Sequence, residues 1–194
     1  YERAAREVQL GIELVKAVQS EAPQFICEYQ PQVEMVSGRV VGLEALIRWQ
    51  HPVHGTLTPD RFIGVAELSG LSERITRWVL NDVCSQINRW RQVRPDFDVP
   101  VSINVAGREM GSTALPALVR AALAQHAIAP QLIVLEITER TLVRESEINN
   151  DVLAELASLG VGLVLDDFGT GYSMLGYLKR MPFTALKIDQ SLIE

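Results

Sequence analysis

The sequence predicts an α/β fold, a (β/α)8 barrel of which about six strands lie within these 194 residues. Three observations predict it. Apolar alternation of period two repeatedly gives way to helical spacing along the chain. Strands separated by helices imply βαβ units and a largely parallel sheet. Polar residues then recur about once per strand, near its C-terminal end. A doubly wound sheet also fits the alternation, but it concentrates its polar groups at one switch point. Gathering them from many strand ends on one rim is the barrel arrangement.

The elements follow in order. Residues 1–21 form a charged, helix-forming lead-in with Leu10, Ile12, Leu14 and Val15, read as the tail of a linker from an upstream segment. Residues 22–194 are the barrel domain, incomplete at its C-terminal end. A short strand over 25–29 is ended by Pro31, and a longer one covers 40–47, with a Ser37-Gly38 turn between them. A helix over 59–68 has Pro near its start and Gly70 past its end. Leu71, Ile75, Trp78, Val79, Val83, Ile87 and Trp90 then keep helical spacing, a packing face that gives the tryptophans no functional weight. Strands over 99–105, 132–137, 161–165 and 183–188 alternate with helices over 114–126, 150–159 and 172–180, and Gly160 stops the second of these.

Composition bounds the function. Apolar residues make up 47% of the chain, enough for one buried core, and the net charge of −6 gives no footprint for duplex nucleic acid. No apolar run reaches the roughly 18 residues of a membrane span, and no signal peptide opens the chain. Cys27 and Cys84 lie in apolar stretches and read as free thiols of a reducing, cytoplasmic compartment. That compartment is also compatible with the cytoplasmic part of a larger, membrane-anchored protein. His51 and His54 straddle Pro52 and read as turn or packing residues; His126, at a helix end, reads as a surface residue.

The strand-end residues carry the chemistry. Gly42, Glu44, Leu46 and Arg48 share one strand face. Ser102 and Asn104 share another, Glu136 ends the next strand, Asp166-Asp167 the one after, and Lys187 and Asp189 lie together on the last. Glu44, Glu136, Glu139, Asp166 and Asp167 would repel one another uncompensated, so either several protonate or cations sit among them. The plain alternative makes them strand-end caps and solvated charges. Oxygen donors without cysteine or a suitably placed histidine favour Mg²⁺ or Mn²⁺. The adjacent aspartates would let two ions sit about 3.5–4 Å apart, as in two-metal phosphodiester cleavage.

Glu44-Ala45-Leu46, followed by Ile47-Arg48-Trp49, resembles the signature of the EAL family of bacterial cyclic-di-GMP phosphodiesterases. The resemblance runs in order through Tyr29-Gln30-Pro31, His51-Pro52, His54-Gly55, Glu67-Leu68-Ser69-Gly70 and Ser102-Ile103-Asn104. It continues through Glu136-Ile137-Thr138-Glu139 and Asp166-Asp167-Phe168-Gly169-Thr170-Gly171-Tyr172-Ser173 to Lys187-Ile188-Asp189. It implies a TIM-like barrel and hydrolysis of cyclic-di-GMP to linear pGpG with Mg²⁺ or Mn²⁺, two ions in the active state. The alternative is a catalytically inactive receptor for the same dinucleotide.

By resemblance, Glu44, Asn104, Glu136 and Asp166 hold one metal and Asp166 with Asp167 takes part in the second. Glu44 and Lys187 are the catalytic pair, Lys187 orienting or helping to deprotonate the attacking water; its plain alternative is a lysine balancing the local acids. Gln30, Leu46, Arg48 and Asp189 position the dinucleotide, Arg48 through the paired donors of its fork. Glu139 anchors the loop 167–172, where Gly169 and Gly171 suit a gating segment. Val105-Ala106 and Met174 depart from the family pattern at non-ligand positions, and the family's later Glu-Gly-Val-Glu strand does not occur up to Glu194. The resemblance further implies a homodimer and an upstream sensory or diguanylate cyclase domain.

Overall fold

The computed structural model describes residues 2–20, 24–144, 148–169 and 181–193. Among these residues seven strands form one mixed sheet: β1 (Phe25–Val33), β2 (Val40–His51), β3 (Gly55–Leu57), β4 (Val101–Asn104), β5 (Ile133–Thr138), β6 (Gly162–Phe168) and β7 (Ala185–Ile188). The order across the sheet is β1-β2-β4-β5-β6-β7, with short β3 also paired to β2. From β2 to β7 the main path is parallel, whereas β1 is antiparallel to β2 because a tight turn joins them. The six expected strands are all present.

Helices α1 (Glu2–Gln19), α2 (Pro59–Leu68), α3 (Ser72–Val93), α4 (Ala114–His126), α5 (Glu139–Arg144) and α6 (Ile148–Ser158) complete the described elements, with 3-10 turns at Gly107–Gly111, Pro130–Leu132 and Gln190–Leu192. The expected bounds of α2 and α4 match. The expected helix over 172–180 lies outside the described residues. None of the described helices is long and apolar enough to cross a membrane.

Several expectations need correction. Pro31 does not end β1, which continues to Val33. A proline lacks the ladder donor, but β1 lies at the sheet's edge, where that loss is tolerated. Strand β2 runs four residues past Ile47, because β3 folds back on it with Trp49 opposite Leu57 and His51 opposite Gly55. Gly55 (φ +68°) makes that reversal in a conformation a side chain would strain. A three-residue strand has too little alternation to stand out in sequence. Helix α5, starting at the residue after β5, is hidden for the same reason.

The core lies between the outer strand faces and the helices. Ala45, Ile47 and Trp49 of β2, Val101 and Ile103 of β4, Ile133, Leu135 and Ile137 of β5, and Leu163 and Leu165 of β6 are buried against it. The stripe on α3 packs as expected: Trp78 meets Phe25, and Trp90 meets the Tyr29 ring edge-on at 4.8 Å. Helix α1 joins the same core through Leu14 and Ala17. Both cysteines are free, Cys84 fully buried, and burial raises its thiol to about 12. His126 is half-buried and hydrogen-bonded to Asn81 at 3.0 Å, so it links α4 to α3.

Candidate active site

With the apolar faces turned to the helices, alternation leaves Ile26, Glu28 and Gln30 of β1 on the opposite face. Leu43 starts a register in which Glu44 stands between Gln30 and Ser102, and Asn104 lies beside Glu136. Glu136 in turn pairs with Val164, and Asp166 with Thr138. Each strand therefore contributes its polar residue to one rim, as the spacing predicts.

The side chains meet there. Asn104 Nδ2 donates to Glu44 Oε1 at 3.0 Å, and Lys187 Nζ donates to Glu44 Oε2 at 2.6 Å and to Glu136 Oε2 at 2.5 Å. Glu136 is only 1% exposed, and its Oε1 has no hydrogen-bond partner among the described residues. Burial pushes the Glu136 carboxyl up, and the bonds from Lys187 offset that only in part. Burial also pushes Glu44 up, but Lys187 and Asn104 together hold its carboxyl below the usual value. The Lys187 ammonium loses hydration on burial, yet its two carboxylate partners raise it and keep it charged.

The Asp166-Asp167 pair is built differently. Leu165 pairs with Leu186 and Phe168 with Ile188, so the two aspartates face the single Lys187 across a β-bulge. Asp167 takes a left-handed backbone (φ +54°), and its amide donates to Asp166 Oδ1 at 2.9 Å. Partial loss of hydration on this otherwise exposed residue, then Asp166 and Asp189, push its carboxyl up. Gly169 follows with φ +101°, and its amide donates to Glu139 Oε2 at 3.0 Å. Glu139, 1% exposed, thus holds the start of the loop 167–172; residues 170–172 lie outside the described residues.

The remaining expected residues are less tightly gathered. Gln30 is exposed on the same face, opposite Glu44, and Leu46 is half-buried. Asp189 caps the 3-10 turn after β7, accepting from the Ser191 hydroxyl and from the Ser191 amide, the latter at 2.9 Å, and those bonds lower its carboxyl. Arg48 pairs with Glu28, Nε to Oε2 at 2.8 Å, and donates from Nη1 to the Ile47 carbonyl at 3.0 Å. Sequence reasoning missed Glu28. The alternation that selected Gln30 also selects the residue two before it.

A second group of ligand-type atoms lies elsewhere: Glu13, His51 and His54 bring theirs within 4.8 Å of one another. His51 Nδ1 accepts from the amides of Val53 and His54 at 3.1 and 3.2 Å, so the ring proton sits on Nε2, 3.1 Å from Glu13 Oε2. An Nε2 that carries a proton has no lone pair for a metal. The arrangement is a turn clamp that ties α1 to the β2–β3 reversal.

The family model described as EAL domain matches residues 13–194. The bifunctional diguanylate cyclase/cyclic di-GMP phosphodiesterase MucR of Pseudomonas aeruginosa is 40% identical over 190 residues, 98% of this chain and 27% of that protein. The cyclic di-GMP phosphodiesterase NbdA of the same organism is 40% identical over 191 residues, covering 98% and 24%. The chain therefore spans about a quarter of the length of these relatives. Among solved structures, the MucR phosphodiesterase in complex with c-di-GMP superposes with a TM-score of 0.87 at 39% identity, over 95% of this chain and 74% of that one. The EAL enzyme Bd1971, bound to cAMP and cyclic-di-GMP, gives 0.84 at 33% identity, over 98% and 52%.

Proposed function

The chain belongs to the EAL domain family, and from that premise we propose that it is a metal-dependent phosphodiesterase that hydrolyses cyclic-di-GMP to linear pGpG. The observation that carries this reading is the convergence of Glu44, Asn104 and Glu136 from three neighbouring strands on one partly buried, charged cluster with Lys187. Asp166 stands one strand farther on.

The donor set fits a hard divalent ion. It is made of oxygens, and it includes the buried Oε1 of Glu136, unpartnered among the described residues, an atom that costs free energy until a cation or donor reaches it. In this reading Glu44, Asn104, Glu136 and Asp166 hold one Mg²⁺ or Mn²⁺ ion, and Asp166 with Asp167 holds another. Bound there, the two ions supply the Lewis acidity that phosphodiester hydrolysis requires.

The protein's own groups do the rest. Lys187 stays protonated between two carboxylates, so it serves by orienting the attacking water and not by taking its proton; an ammonium has one donor more than those two bonds use. Arg48 receives a phosphate of the dinucleotide, with Gln30 and Leu46 beside it and Asp189 at the rim. Glu139 fixes the loop that begins at Asp167. Attachment to a sensory or diguanylate cyclase domain and assembly as a homodimer belong to the same proposal.

The test is pGpG release from cyclic-di-GMP by the protein supplied with Mg²⁺ or Mn²⁺. Turnover is expected to vanish in excess chelator and to fall by orders of magnitude in Glu44→Gln while dinucleotide binding survives. Undiminished turnover in chelator sinks the metal assignment. Tight binding without pGpG release at saturating metal replaces the enzyme with a receptor.

A further inference from the structure

Arg48 is already engaged by an anion from its own chain. Its side chain is 15% exposed and that of Glu28 is 55% exposed, and the two meet at 2.8 Å through Nε. The Nε edge of a guanidinium is one of those that receives a planar oxyanion, carboxylate or phosphate, through parallel donors. Another donor, Nη1, is spent on the Ile47 carbonyl, which fixes the plane of the group. Glu28 comes from β1, where its Cα partner is Leu46, so it reaches Arg48 diagonally across the strand pair.

Resting on the reading that Arg48 binds a phosphate of the dinucleotide, we infer that Glu28 is an intramolecular competitor for that phosphate, lowering affinity by occupying the anion face of Arg48 in the free protein. A phosphodiester arriving at the Nε edge must displace the Glu28 carboxylate or sit against its negative charge. Glu28 is solvent-exposed, so the pair is easily opened, and the exchange returns the carboxylate to water at small cost. It touches neither the acidic cluster nor Lys187 through any bond among the described residues, so it acts on affinity through Arg48 and is a positioning residue, not a catalytic one.

The experiment is a double-mutant cycle read by calorimetry on the protein with a non-hydrolysable phosphorothioate analogue of cyclic-di-GMP, using Glu28→Gln, Arg48→Ala and both together. Glu28→Gln keeps the length and an acceptor oxygen while removing the charge. It is expected to tighten binding about three- to fivefold, the upper range of an exposed ion pair, and to change nothing once Arg48 is alanine. Unchanged or weaker binding by Glu28→Gln overturns the inference, as does equal tightening in both backgrounds, which marks a general charge effect. If Arg48→Ala alone binds as tightly as the parent, the phosphate reading of Arg48 falls and the inference falls with it. A melting curve for each variant confirms that folded proteins are compared.

Discussion

Glu136 and Asp167 are assigned to the same site, and the chain holds them in opposite ways. Glu136 sits in a regular parallel strand, locked between Asn104 and Val164, almost wholly buried and bound to a charged lysine. Asp167 sits in a bulge, exposed, with a left-handed backbone and a second carboxylate next to it in the chain. In a regular strand two consecutive side chains point to opposite faces. A site that uses both aspartates must break the strand to do so, and the bulge is that break. Regular strands deliver rigid, charge-compensated groups; the irregular one delivers two adjacent acids on one rim at a cost in backbone strain.

The largest expected effect breaks the rigid side. Lys187→Met leaves Glu44 and the buried Glu136 without their cation, and removal of one partner from a buried ion pair costs about 3–5 kcal/mol; because Lys187 and Glu44 are partly exposed, about 3 kcal/mol is expected in urea unfolding. A stability change below about 1 kcal/mol would mean that the cluster is far better hydrated than its burial indicates.

The pH dependence of the same variant sharpens the point. Lys187 is raised in the folded protein, so its contribution is complete below its unfolded value and is lost as pH rises through the higher folded one. Glu44 is lowered, so its contribution is present above its unfolded value and disappears as pH falls through the folded one. Glu136 is raised and works in the other direction on the acid side, favouring the fold as it protonates. Burial of the Cys84 thiol already costs stability at alkaline pH in both proteins, because the unfolded chain ionises first; parent protein is expected to lose more than Lys187→Met above about 10.4, and the difference between the two curves is the Lys187 contribution. Unfolding midpoints measured from neutral to alkaline pH decide this.

A smaller effect is expected where the two regions join. Glu139→Gln replaces a charged acceptor of the Gly169 amide by a neutral one, a loss of about 1 kcal/mol. Amide exchange at Gly169 should quicken several-fold while exchange in β5 stays unchanged. Equal quickening in both would show that Glu139 supports the whole strand and not the loop.

The smallest expected change is a gain. Asp167→Gly removes the side chain from a left-handed conformation and is expected to stabilise the fold by less than about 1 kcal/mol. It should also weaken the second of two Mn²⁺ binding events, leaving the first in place. Calorimetric titration with Mn²⁺ separates the two, and loss of both events would erase the distinction between the regions.

By itself the sequence determined the sheet's apolar face, the bounds of α2 and α4, and the polar residue that each strand brings to the rim. These rest on local periodicity, which a strand of four residues or more displays whatever it packs against. That is why Glu44, Asn104, Glu136 and Lys187 are legible in the sequence. Tertiary structure decided the rest. Strand β3 exists because β2 offers it an edge, and Pro31 stays in β1 because that edge has no further partner among the described residues. His51 is a clamp because Glu13, 38 positions earlier, reaches its Nε2. Lys187 bonds two acids that lie 143 and 51 positions away, and Glu28 meets Arg48 only through the antiparallel pairing of β1 with β2. Periodicity assigns a side chain to a face, but hydrogen bonds and ion pairs act over a few ångströms, and only strand register and a bulge bring distant residues within that reach.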